Sequence, residues 1–192
     1  MKKIPTLFKR EFDGHNIVKV LPELSSDSLA WVLEGEGEAT LKIDGACCAI
    51  INGTYYKRYD AKKGKNPPQD AIPCCDPDPV TGHWPHWVPV KENDPASRWF
   101  IEAKKNTEED ERKTLEDGTY EAVGPHFQGN PYRMGVDMLA RHGDIKLKNV
   151  ERTYDGIKDY LATHDIEGIV FWKDGDPQCK IKRSDFGFEW PV

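Results

Sequence analysis

No stretch of this sequence approaches the roughly 20 consecutive apolar residues that a membrane-spanning helix requires. The opening Met1-Lys2-Lys3-Ile4-Pro5 is basic but has no continuous apolar segment behind it, so no secretory signal is read. The expected location is intracellular and cytoplasmic, with no membrane partner. Basic excess is missing as well: 27 Lys and Arg face 33 Asp and Glu, for a net charge of −6, which argues against a general nucleic-acid coat protein. Cysteines are few, odd in number and arranged as two vicinal pairs, Cys47-Cys48 and Cys74-Cys75, plus Cys179. That is a poor disulfide framework and fits a reducing compartment. Cys74 and Cys75 with His83 and His86 lack the gap of two to four residues usual between paired zinc-binding cysteines, so they read as ordinary buried thiols and loop histidines. There is neither an internal repeat nor a low-complexity linker. The expectation is therefore a single domain over 1–192, long enough to bury a real core.

What is present is a globular composition, 38% hydrophobic and 31% charged. The charge is unevenly spread. Lys57, Arg58, Lys62, Lys63 and Lys65 crowd together, Lys180, Lys182 and Arg183 form a second basic group, and acids concentrate at 102–117. Residues 39–59 read as a hairpin, with a strand over 39–51, a tight turn at Asn52-Gly53 and a return over 54–59. Period two places Thr40, Lys42 and Asp44 on one face of its first strand. A second hairpin is expected over 167–183 around Asp174-Gly175, with Lys180 and Lys182 on one face and Cys179 and Ile181 on the other. Residues 153–163 read as a helix capped by Thr153, and Asp94-Pro95 opens another through Lys105. The Pro-, Asp- and Gly-rich stretch 66–89 reads as an irregular insertion. Hairpins and helices without regular strand–helix alternation indicate an α+β fold.

Three separated pieces carry the chemistry: Lys42-Ile43-Asp44-Gly45, Glu167-Gly168-Ile169-Val170-Phe171 and Lys180-Ile181-Lys182-Arg183. Lys42 is the candidate nucleophile. A free lysine amine has a pKa of about 10.4, so only about one in a few thousand is neutral at pH 7. Neighbouring positive charge from Lys180 and Lys182, or a metal ion, lowers that value. Attack on phosphorus would join Lys42 Nζ to AMP and release pyrophosphate, a reaction governed by positioning and charge neutralisation. Gly45 lets the chain turn away close to the ligand. Glu167 suits a hard cation such as Mg²⁺ or Mn²⁺. Glu121 is a candidate ribose acceptor or second metal contact, and Arg58 a bidentate phosphate clamp.

In this order the pieces resemble the covalent nucleotidyltransferase superfamily of ATP-dependent DNA ligases, RNA ligases and mRNA capping enzymes. Lys42-Ile43-Asp44-Gly45 looks like motif I, Glu121 like motif III, Glu167 to Phe171 like motif IV and Lys180-Ile181-Lys182 like motif V. Further segments look like one branch, the vertebrate-type 5′-to-3′ RNA ligases: Ala39-Thr40, Cys47-Cys48, the stretch from Gly82 to Val90, Gln128-Gly129-Asn130-Pro131-Tyr132 and Trp190-Pro191. Leu41 departs from the glutamate that vertebrate relatives carry. The resemblance implies a nucleotidyltransferase fold of two antiparallel sheets flanked by helices; since the sequence stops soon after Lys182, the expectation is a minimal domain without the C-terminal OB-fold of capping enzymes and many DNA ligases. The resemblance also implies an ATP-dependent RNA ligase that uses Mg²⁺ or Mn²⁺ and joins RNA 5′-phosphate to 3′-hydroxyl ends through lysyl-AMP. The implied ATP contacts are Thr40, Leu41, Lys42, Asp44, Arg58, Glu121, Lys180 and Lys182; the metal ligands are Glu167 and Glu121. RNA contacts would come from Lys57, Arg58, Lys62, Lys63 and Arg183. A DNA ligase, another adenylyltransferase and a non-catalytic nucleotide or RNA-end sensor stand as alternatives.

Overall fold

The computed structural model describes residues 3–14, 16–79 and 81–191. In chain order its strands and helices are β1 (Phe8–Asp13), β2 (Asn16–Leu24), α1 (Ala30–Leu33), β3 (Glu38–Leu41), β4 (Ala46–Ile51), β5 (Thr54–Ala61), β6 (Ile72–Pro73), β7 (Trp84–Pro89), α2 (Arg98–Glu109), β8 (Gly118–Val123), β9 (Met138–Arg141), α3 (Tyr154–Thr163), β10 (Gly168–Lys173) and β11 (Asp176–Lys182). All named strand pairs are antiparallel, so the fold is α+β with few helices. The chain divides into two compact units, one of Asp44–His142 and one of Lys3–Ile43 with Gly143–Val192. No helix among the described residues is long and apolar enough to cross a membrane.

The unit formed by Asp44–His142 is a six-stranded sheet in the order β6-β7-β5-β4-β8-β9, backed by α2. Cys48, Ile50, Tyr55, Tyr120 and Leu139 turn inward from the strands to meet Ala103 of α2. Asp94 opens this helical segment as expected, its carboxylate accepting from Ala96 N at 3.0 Å ahead of a short 3₁₀ turn, Pro95–Ser97. The stretch 66–89 is more regular than its composition suggests, because it supplies β6 and the six-residue β7. Pro85 accepts from Cys74 N at 2.9 Å, which turns Pro85 and, by parity, Pro89 towards the side covered only by the two-residue β6. Their missing N–H groups thus cost the sheet little.

The other unit holds a three-stranded sheet, β11-β10-β3, with the β1–β2 hairpin and α3. Ile169, Phe171, Cys179 and Ile181 are fully buried and meet Ile157 and Leu161 of α3. Thr153 caps α3 as its sequence indicates, accepting from Gly156 N at 3.0 Å. Two edge segments widen the sheet. Thr6 bridges Lys180 in parallel, and Thr40 bridges Lys146 in antiparallel fashion.

One expected element is corrected. Residues 39–51 form two strands in two different sheets, with an unpaired break at 42–45. Lys42 therefore follows β3, although its N–H still bonds Gly168 O at 2.9 Å. Partners distant in the chain shape the break. A Cβ on Gly45 would lie 2.5 Å from Ala122 O, so glycine is required for close approach to β8, and Tyr132 OH takes the Asp44 N–H at 2.6 Å.

In the six-stranded unit, buried Thr107 links helix to sheet. Its hydroxyl donates to Ala103 O at 2.7 Å and accepts from Leu139 N at 2.8 Å. Thr107→Val keeps the shape but strands that β9 donor, so it is expected to lower the urea unfolding free energy by about 1–3 kcal/mol, while Thr107→Ser loses less. Equal losses for both substitutions would contradict this bridging role.

Candidate active site

Strand register assembles the two lysine motifs. Lys42 lies beside Gly168, and Gly168 pairs with Lys182, so the three form one row across the sheet. The adjacent row, Leu41–Ile169–Ile181, turns to the core, and in the row beyond it Thr40 pairs with Val170 and Val170 with Lys180. Strands stand about 4.8 Å apart and side chains alternate between faces, so Lys42, Lys180 and Lys182 share the face opposite the core. Gly168 leaves the centre of the first row without a side chain, and a Cβ there would lie 2.3 Å from Ile181 O. The residue before it, Glu167, sits just ahead of β10 and turns its carboxylate between the lysines.

Both Glu167 oxygens are taken. Lys42 Nζ donates to Oε2 at 2.5 Å, and Lys182 Nζ lies 2.9 Å from Oε1. The carboxylate is only 8% exposed, which strengthens both pairs relative to surface ion pairs. Asp185 accepts from the Lys182 N–H at 2.8 Å and from Arg10 Nη2 at 2.6 Å, joining the N-terminal hairpin to the group. Four cations thus face two carboxylates. Lys180 makes no ion pair among the described residues, and its pKa falls from 10.5 to about 8. Burial is the largest cause, followed by the charges of Lys42, Lys182 and Arg10. A partly buried cluster with surplus positive charge is electrostatically suited to a polyanion.

The remaining sequence candidates fall into two groups. Thr40 is 1% exposed and its hydroxyl donates to Val170 O at 3.2 Å, so its side chain braces the sheet. Leu41 is half-buried, with its N–H on Ile145 O at 2.9 Å. Arg183 is buried, donating to His164 O at 2.8 Å, to Glu189 O at 2.6 Å and to Leu161 O. It thereby satisfies carbonyls at the C-terminal end of α3, where a cation is electrostatically favoured.

In the unit formed by Asp44–His142, Glu121 faces Cys47 across β8 and β4, and Arg58 hydrogen-bonds Cys47. Glu121 and Arg58 therefore flank one cysteine. Burial first, then the Glu121 charge, pushes that thiol up to about 12, so it is not a reactive group. Glu121 Oε1 meets His142 Nε2 at 3.0 Å, while its Oε2 is buried without a hydrogen-bond partner. Arg58 Nε is held by Asp60 at 2.7 Å. Lys57 is half-buried and donates to Asp94 at 2.5 Å and Ser97 at 3.1 Å beside the entry to α2. Lys62 and Lys63 are exposed in the loop after β5. Arg10, Asp185 and His142 were not singled out from the sequence; Arg10 and Asp185 are 175 positions apart, and only the folded register joins them.

No group of three or more His, Cys, Asp or Glu side chains among the described residues is placed to hold a metal ion. Both Glu167 oxygens already carry ammonium partners, and Glu121 is engaged by His142.

Lys180 has a pH signature. Its folded-state pKa of about 8 lies below its ordinary 10.5, so the unfolded chain binds more protons between those values. Stability gained from this group therefore rises as pH climbs from about 8 to 10.5, and the full penalty applies below 8. Lys180→Met is expected to be more stable than the wild type at pH 7 by about 1–3 kcal/mol, with the difference shrinking by pH 10. Urea unfolding at both pH values checks this; a pH-independent difference would contradict it.

No family model matches the chain. Among curated proteins it is similar to RNA ligase 1 of Danio rerio, 28% identical over 139 residues that cover 58% of this chain and 43% of that protein. It is also similar to RNA ligase 1 of Pongo abelii, 27% identical with the same shares of each chain. The chain thus spans less than half the length of these two relatives. RNA ligase 1 of Rattus norvegicus is 27% identical over an alignment of 225 positions that covers 80% of this chain and 68% of that protein.

Proposed function

We propose that this chain is an ATP-dependent RNA ligase with a nucleotidyltransferase fold and Lys42 as its nucleophile. The observation that carries the reading is the Lys42–Glu167–Lys182 clamp, with its surplus of positive charge completed by Lys180 and Arg10. A polyphosphate is the anion whose charge such a group matches, and a binding protein would not need a lysine aimed into its centre. Similarity to proteins named RNA ligase 1 supports the substrate class.

In the first step a neutral Lys42 Nζ attacks the α-phosphorus of ATP. A P–N bond forms, the bond to the β-phosphate oxygen breaks, and pyrophosphate leaves with its electron pair. The lysine proton passes to Glu167 or solvent. Lys180 and Lys182 hold the α-phosphate oxygens and offset charge developing there. An RNA 5′-phosphate oxygen then attacks the same phosphorus and frees Lys42. A 3′-hydroxyl finally attacks the RNA phosphate, forming the phosphodiester and expelling AMP.

A divalent ion enters this scheme as part of the metal–nucleotide substrate, since Mg²⁺ is commonly held by one or two carboxylates together with phosphates. Glu167 is the acid placed among the phosphate-binding lysines, and Glu121 the second candidate. By the resemblance of their motifs, Thr40, Leu41, Asp44, Arg58 and Glu121 are further proposed nucleotide contacts, and Lys57, Arg58, Lys62, Lys63 and Arg183 the proposed RNA contacts.

The test uses RNA and DNA strands of one sequence, each with 5′-phosphate and 3′-hydroxyl ends, incubated with ATP and Mg²⁺ or Mn²⁺. Denaturing gels are expected to show RNA joined by the wild type. Glu167→Gln, which releases both lysines from their anchor, is expected to lose on the order of 10²-fold in rate. Joining of DNA alone, or undiminished joining by Glu167→Gln, would overturn the reading.

A further inference from the structure

We propose that Arg10, on the N-terminal hairpin, is a binding residue for the outer phosphates of the nucleotide and hence for the departing pyrophosphate. This rests on the reading of Lys42 as an ATP-directed nucleophile, and it adds a residue outside the three motifs from which that reading began.

The argument is topological first. Across the sheet the order is β3, β10, β11, so Lys42 lies towards one edge and Lys182 towards the other. Beyond β11 the chain at 5–7 runs alongside in parallel, with Thr6 bridged to Lys180, Leu7 N bonded to Lys180 O at 2.7 Å and Lys180 N bonded to Pro5 O at 3.0 Å. Because that segment runs parallel to β11, the next residues carry Arg10 to the level of the turn Arg183–Phe186. There Asp185 receives its guanidinium at 2.6 Å. Lys42, Lys182 and Arg10 therefore follow one another outward across the cluster. Displacement at phosphorus requires the leaving group to depart opposite the nucleophile. Departure away from Lys42 across this sheet leads towards Arg10.

The second argument is electrostatic. Asp185 is 1% exposed on its side chain, Arg10 22%. Asp185 uses one oxygen on Arg10 and the other on the Lys182 N–H, so one buried acid sets both the guanidinium and the strand end that carries a motif lysine. Arg10 Nε is buried with no hydrogen-bond partner. A guanidinium with one donor anchored and another unused is suited to a bidentate oxyanion. Arg10 is also close enough to Lys180 to help depress its pKa, so the two cations repel until an anion lies between them.

Calorimetric titration of the full chain with inorganic pyrophosphate and, separately, with AMP tests this without needing catalysis. The variants are Arg10→Met combined with Asp185→Asn, which removes the buried pair together, and Arg10→Lys. Circular dichroism melting confirms that each is folded. The double variant is expected to bind pyrophosphate at least tenfold more weakly than the wild type and AMP less than twofold more weakly, with Arg10→Lys in between. A merely structural role would weaken both ligands alike through Lys182, and that result, or unchanged pyrophosphate binding, would overturn the proposal. Adenylylation of the wild type is measured in parallel. Its presence with unchanged pyrophosphate binding sinks only the Arg10 assignment; its absence with the predicted selective loss sinks the ligase reading and leaves a pyrophosphate site.

Discussion

The carboxylate of Glu167 holds the candidate site together. It lies nearly out of solvent, and two ammonium groups meet its two oxygens from opposite sides of a glycine. Removing the acid would leave Lys42, Lys180 and Lys182 crowded on one face of a small sheet with no compensating charge. Removing either lysine would leave part of a buried carboxylate unanswered, a change that costs several kcal/mol in buried pairs. Even with Glu167 present the cluster carries more positive than negative charge. The proposed function accounts for that imbalance, since phosphates would supply the missing negative charge.

The unit containing the clamp is built to hold it. Ile169, Phe171, Cys179 and Ile181 fill the opposite face of the same strands, so the lysine-bearing face inherits its rigidity from a closely packed core. Gly168 brings β10 against β11 closely enough that no side chain could be accommodated there. Arg183 secures the end of α3, and Asp185 fastens the N-terminal hairpin to the same turn. In its own unit, Glu121 has a comparable setting, fixed by His142 on one oxygen and carried on a strand at the centre of a core.

Local patterns in the sequence were informative where one short segment decides its own geometry. The cap at Thr153, the turn at Asp174-Gly175 and the parity that sets Lys180 and Lys182 against Cys179 and Ile181 are of that kind. The break at 42–45 was not legible, because it is imposed by β8 and Tyr132, partners distant in the chain. The partners of Lys57 and Arg183 were hidden for the same reason: a basic residue looks alike in sequence whether it faces solvent, a carboxylate or a buried carbonyl. Arg10 lies in a hairpin of mixed charge with no motif to mark it. Strand β7 was obscured by prolines whose placement on a thinly covered edge makes them harmless.

In the geometry described here Lys42 is held as half of an ion pair with Glu167. Catalysis on this account begins when a polyphosphate takes over the charge balance that Glu167 supplies, freeing the amine to lose its proton and attack. The most direct measurement is the intact mass of the wild-type chain and of Lys42→Ala after incubation with ATP and a divalent cation, each folded by circular dichroism. The account predicts the gain of one AMP by the wild type and none by the variant. An adduct on Lys42→Ala, or none on a wild type that still binds ATP with either Mg²⁺ or Mn²⁺, would contradict it.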